Sequence, residues 1–290
     1  TILCRLIPDL VSGNSLENLI TAKLDYELLD DPRNDVSVRL NSTVINVQNN
    51  KSAGGTVTVS YVRDNQLEKV SASKCILACN SNVIPFICPE LPDKQKEALA
   101  FQVKVPILYT NVAVKNWEAW KNLGIGAMVC PGSYHIVSML DFPVTYGNYE
   151  FSRNEREPIV IHMERFPHSY GSNLSAREQY KLGRYELLTT PFETIERNVR
   201  EQLESSLSEG GFNAAKDILG ITVNRWSHGY SYWYNPLFDP IYDDYNDSRY
   251  PHIIGRKKYG NITIANADSA ANAMLESAIE EAYRAVSELI

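Results

Sequence analysis

The sequence predicts a mixed fold, part α/β and part α+β. Three observations lead there: the first third reads as alternating strands, the middle mixes strands with capped helices, and the end is a strand running into an amphipathic helix. With 290 residues, 44% hydrophobic and 22% charged, the chain has the makeup of one large globular domain or two smaller ones.

A short helical lead comes first. Residues 36–40 (VSVRL) and 43–47 (TVINV) alternate apolar and polar side chains and read as strands. A hairpin loop rich in Asn, Ser and Gly over residues 49–55 feeds a strand at 57–62. Asn65 then turns the chain into a strand ending at residues 74–79 (KCILAC), whose successive apolar positions predict burial on both faces. Beyond Pro85, Pro89 and Pro92 the spacing predicts a helix over 93–100, a strand over 103–114, a helical turn at Trp117, and strands over 127–140 and 158–165. Two helices follow. The second is marked by Thr190 as cap, Pro191 at the first helical position and Glu193 three residues after the cap, with a stop at Gly210-Gly211. Residues 261–267 (NITIANA) form a last strand. In the closing helix Leu275, Ile279, Ala282, Val286 and Leu289 keep a 3.6-residue period, with Glu276, Glu280, Arg284 and Glu288 on the wet side.

Charge and motif exclude several functions. The net charge of -7, with no basic stripe, argues against nucleic acid and is compatible with a cationic substrate. No apolar run reaches the ~20 residues of a membrane span, so a soluble protein is expected, with its compartment unreadable. The chain begins at Thr1, as a processed product or fragment would. Five cysteines, with no close pair of the kind that binds zinc or attaches haem, are expected to be mostly buried thiols, and the scattered His135, His162, His168 and His252 lack metal-ligand spacing. Glu164-Arg165 reads as an ordinary strand end. No nucleophile elbow is present, and no G-x-G-x-x-G, so the chain by itself lacks the usual seat for an ADP moiety.

Two constellations carry chemistry. The first is the strand, turn and helix around Asp268, with small residues at Ala267, Ala270, Ala271 and Ala273. A helix amino terminus offers free N–H donors and partial positive charge to an anionic cofactor, although a purely structural turn has the same pattern. The second is the run 224–235 (NRWSHGYSYWYN), which sets aromatic rings around His228. Aromatic faces bind alkylammonium groups, and the same alternation of Trp226, Tyr230 and Tyr232 also suits a strand packed into a core or subunit interface.

Taken together the segments resemble the spermidine dehydrogenase-like branch of the FAD-dependent amine oxidase superfamily. The resembling stretches are LIPDLVSGNSLENLITAKLDY (6–26), VRLNSTVINVQN (38–49), CILACN (75–80), ICPELPDKQKEAL (87–99), VKVPILYTNVAVKNW (103–117), TTPFETIERNVREQL (189–203), ITVNRWSHGYSYWYNPLFDP (221–240) and GNITIANADSAANAMLESAIEEAYRAV (260–286). The resemblance implies the carboxyl-terminal part of such a protein: a partial FAD-binding fold of the amine oxidase type with an inserted mixed-sheet substrate domain. Residues 1–84 would be the first portion of the FAD domain, 85–225 the substrate domain and 226–290 the return to the FAD domain. The dinucleotide-binding fold would lie upstream of Thr1 or on a separate chain. Val44, Cys79, Asn80, Asp268, Ala273 and Met274 would line FAD, and Trp226, His228 and Tyr230 would face an amine. Haem occurs in some relatives, but no attachment motif is present here. The family often has an aromatic residue where Met274 stands and a Pro where Ser227 stands.

The implied chemistry is oxidation of an amine C–N bond, as in spermidine, with the cofactor accepting the electrons. Three alternatives remain at this level: a non-catalytic or truncated paralogue, a subunit completed by a separate dinucleotide-binding chain, and a binding module built on the aromatic run.

Overall fold

The computed structural model describes residues 2–13, 15–50, 55–169 and 171–290. Short helices α1 (Ile2–Leu6) and α2 (Leu16–Thr21) lead in, the second opened by a capping box between Ser15 and Asn18. Residues 36–40 form no strand. Val38 N–H donates to the Leu29 carbonyl, and Arg39 pairs with Asp30 and donates to the Tyr61 hydroxyl, but no strand ladder forms before β1 (Thr43–Asn49). β1, β2 (Val57–Arg63) and β3 (Gln66–Ala72) make an antiparallel meander. Residues 51–54 of the expected first loop lie outside the described residues. The second turn is Asp64-Asn65, both with positive φ, as a two-residue hairpin between right-twisted strands requires.

The expected run into residues 74–79 divides. β4 (Cys75–Leu77) leaves the meander and pairs in parallel with β10 (Ile262–Ile264). Leu77 is buried but Ile76, pointing to the opposite face of the two-stranded sheet, is 39% exposed, so among the described residues only one face of β4 is covered. Around this pair lies one apolar core, where Val47, Val57, Leu77, Ile262 and Ile264 meet Ile84 and Ile87 of α3 (Ile84–Ile87), Leu91, and Leu99 of α4 (Asp93–Phe101).

The second core belongs to a five-stranded sheet in the order β6 (Ala127–Val129), β7 (Val137–Asp141), β8 (Ile159–Arg165), β5 (Val105–Val114), β9 (Ile218–Tyr230). All its pairings are antiparallel, so parallel pairing among the described residues is confined to β4 and β10. The single strand expected over 127–140 is a hairpin of two. α5 (Glu118–Leu123) follows β5, and α6 (Ala176–Thr189) opens on a capping box of Ser175 and Glu178. α7 (Phe192–Leu207) buries Ile195, Val199, Leu203 and Leu207 at four-residue spacing against the sheet, each side chain adding roughly 1.5–3 kcal/mol. Its cap differs from expectation: Pro191 is the N-cap, while the Thr190 hydroxyl donates back to the Glu186 carbonyl and closes α6. A 3-10 turn and Gly211 at φ 101° end the segment, close to the expected stop. α8 (Ala214–Asp217) leads into β9.

After β9, Tyr232, Tyr234 and Tyr250 pack with Ala271 in a third, aromatic core beside α9 (Pro251–Gly255). The chain closes with a 3-10 turn (Ala267–Ala270) and α10 (Leu275–Ser287). Here the expected orientation holds only in part. Leu289 is buried and Glu276 and Glu280 are exposed as expected, but Leu275, Ile279, Ala282 and Val286 are exposed as well, and Glu281 and Ala285 are buried. The cause is electrostatic: Glu281 accepts from Arg256 and, at 2.9 Å, from Arg284, which also bonds the Ile264 carbonyl, so Arg284 lies inward rather than on the wet side. Of the cysteines, all free, only Cys88 is fully buried, and burial pushes its thiol up to about 12. No helix among the described residues is long and apolar enough to cross a membrane, and no group among them could hold a metal ion.

Candidate functional site

The two constellations meet through one ion pair. Lys104, just before β5, places Nζ 2.6 Å from Asp268 Oδ1, and the other carboxylate oxygen accepts from Ser81 N–H at 3.0 Å. Asp268 is 1% exposed. The turn holding it is over-determined: Asn266 caps the 3-10 turn through Ser269 N–H and donates to the Cys79 carbonyl. Ala271 takes a left-handed φ of 46° that few non-glycine residues adopt. Tyr245 donates to the Ala270 or Ala271 carbonyl, at 2.9 and 3.0 Å. Asp268 therefore binds Lys104 and the residue beyond Asn80, rather than standing free beside the helix.

His228 sits in a bulge. β5 pairs Val105 with Tyr230 and Ile107 with Trp226, so residues 227–229 stand opposite Pro106 alone. Such bulges re-aim side chains at strand ends. Arg184 of α6 fixes this one, donating to the Ser227 carbonyl at 3.0 Å and the Lys104 carbonyl at 2.9 Å. His228 Nδ1 lies 2.9 Å from Ser227 Oγ. Burial, then the positive charges of Arg184 and Lys104, lower its pKa, with Asp268 opposing, so the imidazole is neutral at pH 7. Gly229 is required by close approach: a Cβ there would run into Ile107 Cγ2 and lie 3.1 Å from the Val105 carbonyl oxygen. Gly229→Ala is expected to lower the urea midpoint by the equivalent of about 1–3 kcal/mol, with an unchanged m-value; an unchanged midpoint would show the bulge to be soft.

The other expected residues fall in two places. Val44 and Cys79 line one apolar cleft of about 490 Å³ together with Val47, Val59, Ile76 and Val83. Asn80 precedes the Ser81–Val83 turn. Ala273 is half-buried and Met274 is the exposed N-cap of α10, with no side chain satisfying the first N–H groups. Trp226, 55% exposed, and Tyr230 lie on the sheet, and Tyr232 alone of the alternating rings is buried. Lys104, Arg184, Ser81 and Tyr109 were not among the expected residues. A lysine between two valines carries no local signal, and its partner is 164 positions away.

The donor set suits a polar, partly anionic group at the Asp268 turn. Around it the Ser81 hydroxyl is buried without a hydrogen-bond partner among the described residues and the α10 amino terminus is uncapped, while Asn272 Oδ1 is a buried, unpartnered acceptor suited to a hydroxyl or N–H of the same ligand. The nearby cleft is apolar and suits a planar ring.

No family model and no curated protein matches the chain. Solved structures do. Cyclohexylamine oxidase from Brevibacterium oxydans IH-35A superposes with a TM-score of 0.57 at 11% identity, over 85% of this chain and 47% of that one. A single-residue variant of putrescine oxidase, made to redesign cofactor binding, gives 0.55 at 16% identity over 86% and 48%. Wild-type putrescine oxidase bound to putrescine gives 0.51 at 14% identity over the same shares. The chain spans about half the length of these structures, and over that part it has the amine oxidase fold.

Proposed function

We propose that the chain supplies the substrate face and one side of the flavin site of an FAD-dependent enzyme oxidising the C–N bond of an amine, with a polyamine such as spermidine as the substrate. The Lys104–Asp268 pair carries this reading. It fastens the aromatic bulge to the turn ahead of α10, so the amine-facing and cofactor-facing residues share one locality.

In this reading the Asp268 turn, Asn80, Ala273, Met274 and the α10 amino terminus hold the flavin end, and the cleft of Val44 and Cys79 holds the adenine end. FAD bound there would accept the electron pair of the amine α-carbon. The chain's own residues prepare the amine. Arg184 is a cation with no ion-pair partner among the described residues, and a nearby positive charge disfavours an alkylammonium over the neutral amine that must react. Neutral His228 orients the nitrogen, while Trp226 and Tyr230 shield it from water.

The rest of the assembly is also implied. A two-stranded parallel sheet with both edges unpaired is not free-standing, since parallel sheets are covered on both faces. The bared stripe Leu275, Ile279 and Val286 of α10 likewise lacks a cover. Both features favour a dinucleotide-binding unit, on the same polypeptide or a partner chain, as the cover and the source of the missing ADP seat. The test is the visible spectrum of the chain produced with and without the sequence upstream of it. The longer form is expected to be yellow and to bleach anaerobically with spermidine, and the shorter colourless. A longer form colourless despite added FAD would overturn the proposal.

A further inference from the structure

The five-stranded sheet ends on two unlike edges. β6 is three residues long, and so short a strand offers little to another chain. β9 runs for 13 residues, and among the described residues it pairs with β5 alone. That pairing is regular from Gly220, opposite Ala113, to Trp226, opposite Ile107, with an irregularity beyond each end. Within this stretch the outer edge is unprotected. There is no Pro, no Lys and no bulge, and the one charged side chain, Arg225, donates to the Leu187 carbonyl of α6 at 2.8 Å.

The stretch is complementary to itself. Ile221 and Val223 pack on the helix-covered core, so Gly220, Thr222, Asn224 and Trp226 belong to the other face. Every pairing in this sheet is antiparallel, which is the pairing a two-fold axis produces. With the axis through Val223, Thr222 of one protomer meets Asn224 of its partner, Ile221 meets Arg225, and Trp226 meets Gly220. An axis between two residues would set the covered face of one protomer against the open face of the other, and an axis through Arg225 would oppose like charges.

The Val223 axis also fits by shape. Arg225 lays its apolar stem over an isoleucine. Trp226, 55% exposed, crosses Gly220, where a Cβ would meet nothing within 4 Å, and an aromatic ring fills such a gap beside a strand glycine. A strand ladder alone is a small interface, whereas a stable one buries about 800 Å² per partner. The exposed Tyr185 and Leu188 of α6, either side of the Leu187 carbonyl that Arg225 holds, adjoin the same edge and add apolar area.

We infer that β9 is the contact between two copies of this chain, which join their five-stranded sheets into one antiparallel sheet across a two-fold axis at Val223. The bulge carrying His228 begins at the residue after this ladder, so the pairing braces it. The contact is independent of the amine chemistry proposed above, and it leaves β4, β10 and α10 free for a dinucleotide-binding unit.

Sedimentation equilibrium of the chain over a wide concentration range tests it. A reversible change from the mass of one chain to that of two is expected. Thr222→Lys with Asn224→Lys sets like charges opposite each other twice across the axis and is expected to weaken the dimer about tenfold or more, whereas Thr222→Glu with Asn224→Lys sets opposite charges there and should restore it. Both positions are exposed, so the circular dichroism of each variant should match that of the parent. Should either variant fold poorly, hydrogen exchange of the parent decides, since amides within residues 220–226 must exchange more slowly in concentrated than in dilute solution. A mass of one chain at every concentration, a dimer indifferent to the paired lysines, or a dimer lost in the glutamate–lysine variant as well overturns the inference. So does a longer form, carrying the upstream sequence, that sediments as one chain with residues 220–226 protected, because a strand of the added sequence then occupies the edge.

Discussion

Lys104→Met is expected to lower the unfolding free energy by on the order of 3–5 kcal/mol. Methionine keeps the length of the side chain and loses only the ammonium group. Asp268, almost wholly buried, is then a carboxylate facing Ser81 N–H without its counter-charge. Adding Asp268→Asn should recover more than half of the loss, because a neutral amide costs far less to bury than an unpaired charge. Urea unfolding of the two single variants and the double variant measures this coupling. A Lys104→Met loss under about 1 kcal/mol would mean that the pair does not join the two parts of the fold, and the shared locality would lose its support.

The stability of the fold is expected to fall steeply with acid between pH 6.5 and 4. His135 and His252 are both buried, and burial lowers their pKa values to about 3 and about 4. Each has one ring nitrogen bonded, to Thr110 Oγ1 at 2.9 Å and to the Tyr234 hydroxyl at 3.0 Å, and the other without a partner among the described residues. The sign follows from linkage. The unfolded chain takes up protons near pH 6.5 while the folded chain does not, so the folded state is favoured fully above 6.5 and progressively less until each folded pKa is passed. Two such groups together withdraw on the order of 6 kcal/mol by pH 4, comparable to the whole stability of many domains. Thermal melts at half-unit pH steps show it as a falling midpoint. Substituting Gln at both positions should flatten the slope in that window, and an unaltered slope would assign the acid sensitivity to other groups.

Local chemistry made much of this fold legible. The Asp64-Asn65 turn, the helix over 192–207 and the strands around Tyr109 and His162 follow from alternation and turn residues, which act over a few positions. Long-range electrostatics did not show. The period of α10 was read as an inward stripe, yet Glu281 with Arg256 and Arg284 decides which side faces the protein. Periodicity says that a helix has two faces, and only a partner says which face is covered. The same holds at the site. The aromatic run around His228 stands out by composition, whereas Lys104 and Arg184 gain their meaning from partners far away in the chain.

The pairing of Cys75 with Ile262 also sets a schedule for synthesis. A ribosome adds roughly 5–20 residues per second, so β4 leaves the exit tunnel on the order of ten to forty seconds before its only described partner is made. Through that interval an apolar strand with Ile76 and Leu77 has nothing to zip against, and the intervening antiparallel unit must fold first as an independent block. Chaperone occupancy on nascent chains should accordingly rise after residue 77 emerges and fall only once residues 262–264 are free.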